Sequence, residues 1–235
     1  MNNQWLTIEQ VGNDVVLKKC SREAEGVIEI PVNITHIADD AFEKSNVTIK
    51  NLPEGLKAIG KNAFASCSFY RPLVNLPESL EKIGEGAFAR TNIKGLYIPA
   101  SVTQIDGRIL PGTCQLVIID ADNLKYDSRD NCNAIIETAT NTLIRGCQNT
   151  TIPDSVVEIG GSAFNYCTSL TSIAIPASVT SIGAQALYDC LELQTINYTG
   201  TKKQWKGIED TNLTIEPKKQ IVVHCADRDV KLKGK

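Results

Sequence analysis

The stretch Leu170-Thr171-Ser172-Ile173-Ala174-Ile175-Pro176-Ala177-Ser178-Val179-Thr180-Ser181-Ile182-Gly183-Ala184-Gln185-Ala186-Leu187 decides the fold. Ile173 and Ile175 alternate with Ser172 and Ala174, the pattern of a half-buried strand. Pro176 ends that strand, because it has no N–H to give to a ladder. Val179 and Ile182 then turn inward, the chain bends at Gly183, and Ala186-Leu187 returns it across a coil. The same markers recur at fixed offsets. Pro31, Pro53, Pro77, Pro99, Pro153 and Pro176 each follow Ile or Leu, and six residues later come Ile37, Ile59, Ile83, Ile105, Ile159 and Ile182. Eleven residues after each Pro stand Phe42, Phe64, Phe88, Leu110, Phe164 and Leu187, preceded in five cases by Ala (Ala41, Ala63, Ala87, Ala163, Ala186).

Offsets that never slip imply a parallel coil with one turn per repeat. The Pro residues are spaced by 22, 24 and 22 residues, then 54, then 23. A period of about 23 with Leu-like core positions falls in the range of leucine-rich repeats. The expected fold is an α/β repeat solenoid, mostly β, coiled right-handed as parallel crossovers are. Ala is small enough for coils to approach, and Phe fills the space between them. Each coil buries its apolar edge only against the next, so both ends need caps. Residues 1–26 read as a hairpin cap, with Trp5, Leu6, Ile8 and Val15, Val16, Leu17 flanking Gly12-Asn13-Asp14. Residues 27–200 are the solenoid and 201–235 a C-terminal cap, with a short helical turn around Trp205 and a strand at Ile221–Val223. The 54-residue gap holds a strand at Gln115–Asp120. An inserted β-hairpin follows within about 120–148, where Asn133–Ile136 and Leu143–Arg145 flank Thr138–Asn141. It is read as lying within or protruding from the solenoid, a place where insertions tend to carry binding.

The 235 residues are 42% apolar, enough for a large core, yet no run reaches the 18 apolar residues that would span a bilayer. Net charge is -3, a field that does not favour nucleic acid. Nine of the cations lie in residues 200–235, interleaved with Glu209, Asp210, Glu216, Asp227 and Asp229, as in a solvated terminal segment. The start, Met1-Asn-Asn-Gln-Trp-Leu, has neither the basic nor the apolar region of a signal peptide. A native Met1 implies a cytoplasmic protein; a removed leader leaves the cell surface or secretion open.

Residues that could carry chemistry read mostly as packing. Cys67, Cys167 and Cys190 stand three residues after the Phe/Leu position, where other repeats have Ser45, Thr91 and Thr113, a rung of small residues. No Cys-x-x-Cys exists, and no catalytic residue, metal site or cofactor is expected. His36 takes a surface place in its repeat, and His224 has no further ligand in view. Cys132 and Cys147 fall opposite each other if the hairpin turns at 139–140; the first reading is two reduced cysteines near the hairpin base, and the alternative, for an exported chain, is a cross-strand disulfide. The outward position two before each Pro makes a column on the sheet: Glu29, Asn51, Asn75, Tyr97, Thr151 and Ala174, with Asn197 at the equivalent place. Glu29, Asn51, Asn75, Tyr97, Thr151 and Asn197 are candidate ligand contacts, since Tyr and Asn suit recognition surfaces; equally, they keep an open sheet face soluble. Tyr126 and Arg129 are candidates on the insertion.

Ile175-Pro-Ala-Ser-Val-Thr-Ser-Ile-Gly183 and Ile159-Gly-Gly-Ser-Ala-Phe164-Asn-Tyr-Cys167 resemble the BspA-type leucine-rich repeats of bacterial surface proteins, abundant also in some parasitic protists. Tyr126-Asp-Ser-Arg-Asp-Asn-Cys132-Asn-Ala-Ile-Ile, running on to Ile152-Pro-Asp-Ser-Val156, resembles an irregular element of such proteins from Bacteroides. The likeness covers about residues 27–200. It implies a non-enzymatic binding or adhesion module for a protein or glycan, including host matrix proteins, acting as a monomer. The alternative is an intracellular interaction scaffold of the same fold.

Overall fold

The structure, a computed structural model, describes residues 3–209 and 220–233. The chain divides into two compact units. One is formed by residues up to Cys114 with Ile119–Leu124, the other by Gln115–Ile118 and the residues from Lys125 onward.

The strands of the first unit are β1 (Leu6–Val11), β2 (Asp14–Cys20), β3 (Glu25–Ile28), β4 (His36–Ile37), β5 (Asn46–Ile49), β6 (Ala58–Ile59), β7 (Ser68–Phe69), β8 (Leu73–Asn75), β9 (Lys82–Ile83), β10 (Gly95–Ile98) and β11 (Gln104–Ile105). Each coil contributes one strand before its Pro, or two (β7 and β8) before Pro77, and a two-residue strand after it. The later strands form the sheet β1-β2-β4-β6-β9-β11, and the earlier ones form β3-β5-β7 and the parallel pair β8-β10. Fixed sequence offsets become fixed register: Ile37 faces Ile59, Ile59 faces Ile83, and Ile83 faces Ile105. Phe42, Phe64 and Phe88 are fully buried and stack, with ring centroids 5.3 and 5.7 Å apart. Each such ring contributes about 1.5–3 kcal/mol by its burial. Gly84 is required by coil spacing, since a Cβ there would lie 2.6 Å from the Lys61 nitrogen of the preceding coil. The small-residue rung also has a bonding role. The Ser45 Oγ and the Cys67 Sγ both donate to the Phe42 carbonyl, at 2.8 and 2.9 Å. In the Pro99 coil the buried member is Cys114, while Thr113 is exposed, so the rung moves by one residue there.

The chain continues through β12 (Leu116–Ile119), β13 (Tyr126–Asp127), β14 (Ala134–Glu137), β15 (Thr142–Gly146), β16 (Glu158–Ile159), β17 (Ser172–Ile175), β18 (Ser181–Ile182), β19 (Thr195–Tyr198), α1 (Lys202–Glu209), β20 (Gln220–His224) and β21 (Asp229–Lys233). Within the second unit the sheets are β13-β14-β15-β16-β18 and β17-β19-β20-β21. The hairpin β14-β15 does not protrude. β15 runs parallel to β16 with Leu143 opposite Ile159, as β2 runs parallel to β4 with Leu17 opposite Ile37.

The two hairpins are built alike, bond for bond. The Leu17 carbonyl accepts from Ala38 N–H and the Leu143 carbonyl from Gly160 N–H, each at 2.9 Å. Cys20 N–H donates to the Ala41 carbonyl at 2.7 Å and Gly146 N–H to the Ala163 carbonyl at 2.9 Å. Lys19 Nζ reaches the Asp40 carbonyl at 2.7 Å, and Arg145 Nη1 the matching Ser162 carbonyl at 3.0 Å. Arg145 is 1% exposed and also donates to the Ala163 and Asn165 carbonyls, both at 3.1 Å. The insertion thus opens the second unit as β1-β2 opens the first, and covers the apolar edge of its first coil.

At the other end, Thr201 and Gln204 form a capping box. Thr201 N–H donates to Gln204 Oε1 at 2.8 Å, and Gln204 N–H to Thr201 Oγ1 at 3.4 Å. The box starts α1, whose fully buried Trp205 packs 5.3 Å from the Tyr198 ring. β20 pairs parallel with β19, and β21 closes the sheet antiparallel. Of the basic terminal segment, Asp210, Glu216, Lys218, Lys219 and Lys235 lie outside the described residues.

Candidate functional site

The first unit presents a surface along the strands that precede each Pro. The expected column of outward residues forms there only in part. Asn75 and Tyr97 stand opposite each other on β8 and β10. Glu29 and Asn51 do not. β3 and β5 pair Ile28 with Ile49, so Lys50 takes the place beside Glu29, its N–H bonded to the Ile28 carbonyl at 3.0 Å and its ammonium paired with the Glu29 carboxylate. That ion pair raises the Lys50 pKa.

The 24-residue spacing from Pro53 to Pro77 is absorbed by Tyr70-Arg71-Pro72, which separate β7 from β8. This bulge borders a depression of about 480 Å³ lined by Asn51, Glu54, Tyr70, Arg71, Leu73 and Asn75 among others. A second depression of about 300 Å³ shares Leu52, Glu54 and Asn75 with the first and adds Glu78 and Tyr97. Tyr70 is 65% and Leu73 58% exposed, although both are large and apolar. Sequence reasoning missed Tyr70, Arg71 and Leu73; the only signal was the two extra residues in that repeat. The Tyr97 hydroxyl donates to the Asp120 carboxylate, which pushes the phenol up to about 12 and holds the Asp120 carboxyl below its usual range. Tyr97 is therefore a neutral, fixed ring at the groove wall.

The remaining candidates belong to the second unit. Asn197 is exposed on β19, with Ala174 on one side and His224 on the other. His224, placed by sequence only in the terminal cap, extends that column and bonds Asp229 through Nδ1 at 2.9 Å. Thr151 is exposed, with its N–H on the Cys132 carbonyl at 3.0 Å. Tyr126 is not a surface contact: it is 3% exposed, packed into the core of the cap. Arg129 is bound within the protein. Its Nε lies 2.8 Å from Asp127 Oδ1, and its Nη1 lies 2.8 Å from Asn141 Oδ1 and 3.3 Å from Ser155 Oγ. Burial would raise the Asp127 carboxyl, but the hydrogen bonds from Arg129 outweigh it and hold the group low. Arg129 thus clasps the turn to the hairpin and is not a free contact.

Cys132 and Cys147 are both buried free thiols. A register shift between Ile135 and Ile136 moves the outer part of the hairpin by one residue, and Cys147 Sγ meets the Asn133 carbonyl at 3.3 Å instead of Cys132. A nucleophilic cysteine needs a lowered pKa. Burial does the opposite here, pushing Cys20 and Cys167 up to about 11. Among the described residues no three His, Cys, Asp or Glu side chains converge on a metal position, and no helix is long and apolar enough to cross a membrane. His36 Nδ1 lies 2.8 Å from Thr35 Oγ1 and 3.6 Å from Asp14, a local surface contact.

Comparison with solved structures finds the same architecture. A leucine rich cell surface protein from Faecalibacterium prausnitzii A2-165 superposes with a TM-score of 0.52 at 19% identity, over 83% of this chain and 75% of that one. The pneumococcal vaccine antigen PcpA superposes with a TM-score of 0.51 at 17% identity, over 81% and 67%. At these identities the likeness shows the fold. No curated protein matches the chain. Six copies of the BspA type leucine rich repeat region match residues 17–117 and 139–210, two blocks that each begin inside a hairpin cap. With that match over most of its length, the chain belongs to the family of BspA-type leucine-rich repeat proteins.

Proposed function

We propose that the chain is a non-enzymatic binding module that takes a protein or glycan ligand on the face formed by β5, β7, β8 and β10. The observation that carries this reading is the pair of exposed apolar side chains, Tyr70 and Leu73, bordering the 480 Å³ depression. Exposed apolar surface rimmed by polar groups is characteristic of interaction sites. The depression lies within the usual size range of ligand pockets, roughly 300–1,000 Å³. The amides of Asn51 and Asn75 make no hydrogen bond among the described residues, so their donors and acceptors are available to a ligand. The coils hold this surface preformed, which lowers the ordering cost of binding. A repeat fold of this family is generally a scaffold for binding.

The test is binding of the full chain to arrayed extracellular-matrix proteins and arrayed glycans, with Leu73→Arg and Asn75→Ala compared with Asn197→Ala. A ligand held by wild type and by Asn197→Ala, but weakened tenfold or more by Leu73→Arg, supports the reading. Equal binding by Leu73→Arg and wild type refutes the face as the site.

A further inference from the structure

We propose that the occupant of this groove is an extended polypeptide segment with an acidic and a basic side chain separated by an apolar one. The proposal rests on the reading of the face just given and names its ligand class. The two depressions share Leu52, Glu54 and Asn75, so Arg71 lines the larger one alone, Glu54 stands at their shared boundary and Glu78 lines the smaller one alone. Two cations line the larger depression. Lys50 is already held by Glu29, whereas Arg71 has no ion pair or hydrogen bond among the described residues. The smaller depression has no cation and carries the carboxylates of Glu54 and Glu78. Tyr97 in its wall also feels the negative field of Asp120 and Asp122. Arg71, Glu54 and Glu78 are all exposed, and none has a salt-bridge partner among the described residues.

A ligand that compensates both ends must carry both signs of charge. An acidic glycan suits Arg71 but is repelled by the Glu54 and Glu78 carboxylates. A neutral glycan leaves Arg71 without a partner. A peptide supplies a carboxylate for Arg71, an apolar side chain for Tyr70 and Leu73, and a Lys or Arg for Glu54 and Glu78. Its main-chain amides match the free amides of Asn51 and Asn75, which can donate and accept at once. Rim charges of this kind select partners and set the rate of encounter.

The probe is a phage-displayed library of random linear 12-residue peptides, panned on the full chain and counter-selected on Leu73→Arg. The expected consensus has an acid and a base flanking an apolar residue. Fluorescence anisotropy with the synthetic consensus peptide then gives affinity. Arg71→Glu should weaken binding about tenfold, a coupling typical of a close charge pair. Replacing the peptide's acid by Lys should restore most of it, which also shows that Arg71→Glu is folded. Glu78→Lys should behave the same way toward the peptide's base. An uncharged consensus, or an Arg71→Glu variant of unchanged affinity, overturns the proposal. Selective binding of arrayed glycans, with no peptide surviving counter-selection, overturns the polypeptide class and leaves the face standing as a site. Wild-type binders that are all removed by counter-selection on Leu73→Arg, with no glycan bound selectively, overturn the proposal and the face together.

Discussion

Gly146→Ala should lower the stability of the second unit. Gly146 ends β15, where its N–H is fixed on the Ala163 carbonyl. A Cβ at this position would lie 2.6 Å from Cζ and 2.8 Å from Cδ1 of Phe164, well inside contact distance. Phe164 is fully buried and cannot swing aside into solvent. Overpacking of this kind costs about 1–3 kcal/mol. Alanine recovers at most about 1 kcal/mol by restricting the unfolded chain, which leaves a loss near 2 kcal/mol. A unit of this size should have a urea slope of about 1–2 kcal/mol per M, so its midpoint should fall by about 1–2 M. Trp205 is the natural probe, being fully buried in the second unit, and Trp5→Phe removes the signal of the first. Phe164→Leu should cost stability alone yet partly rescue Gly146→Ala, with a coupling of about 1 kcal/mol or more. Strictly additive losses, or a midpoint unmoved by Gly146→Ala, would refute the packing of β15 on Phe164.

Other consequences follow from the same geometry. Arg145→Met should cost about 3 kcal/mol or more, because two buried carbonyls and one part-buried carbonyl lose a charged donor, whereas Lys19→Met at the matching exposed position should cost under about 1 kcal/mol; thermal unfolding of both variants checks the contrast. Thr201→Ala removes a capping box and should cost about 1 kcal/mol, read as a lower midpoint of the Trp205 transition. Burial raises the pKa of the Cys67 and Cys167 thiols, so their thiolate fraction at pH 8 falls below that of free cysteine. The Cys225 thiol is raised too, but it alone is half-exposed, so iodoacetamide with peptide mass mapping should modify Cys225 first, and Cys67, Cys167 and Cys190 only on unfolding. Prompt native labelling of Cys167 would contradict its place in the core.

The regular part of the fold was legible because each coil repeats the same burial. The residues six and eleven after each Pro must meet their counterparts in the next coil, so no offset can drift, and Ile37, Ile59, Ile83 and Ile105 align as the spacing required. The N-terminal cap was legible as a hairpin from its Gly12-Asn13-Asp14 turn, whereas at the other end only the turn around Trp205 and the strand at 221–223 were legible and β21 was missed. That β14-β15 begins a second unit was present but unread: Leu143 and Arg145 stand in the same order as Leu17 and Lys19, and only the hydrogen bonds make the match visible. The irregular segments were misread for want of a period. Tyr126 has no repeat partner to show that it points inward, and one bulge displaced Cys147 from Cys132. The groove escaped notice for a similar reason. Two extra residues look like mere length variation until Tyr70 and Arg71 are seen to leave the sheet.

The most direct test of the binding account is hydrogen-exchange mass spectrometry of the full chain, with and without the best binder from the protein and glycan arrays. The account predicts added protection in peptides covering residues 50–54, 68–78 and 97, with the hairpin at 134–146 and the face around Asn197 unchanged. Protection confined to that hairpin or to the Asn197 column would contradict it and move the site to the second unit.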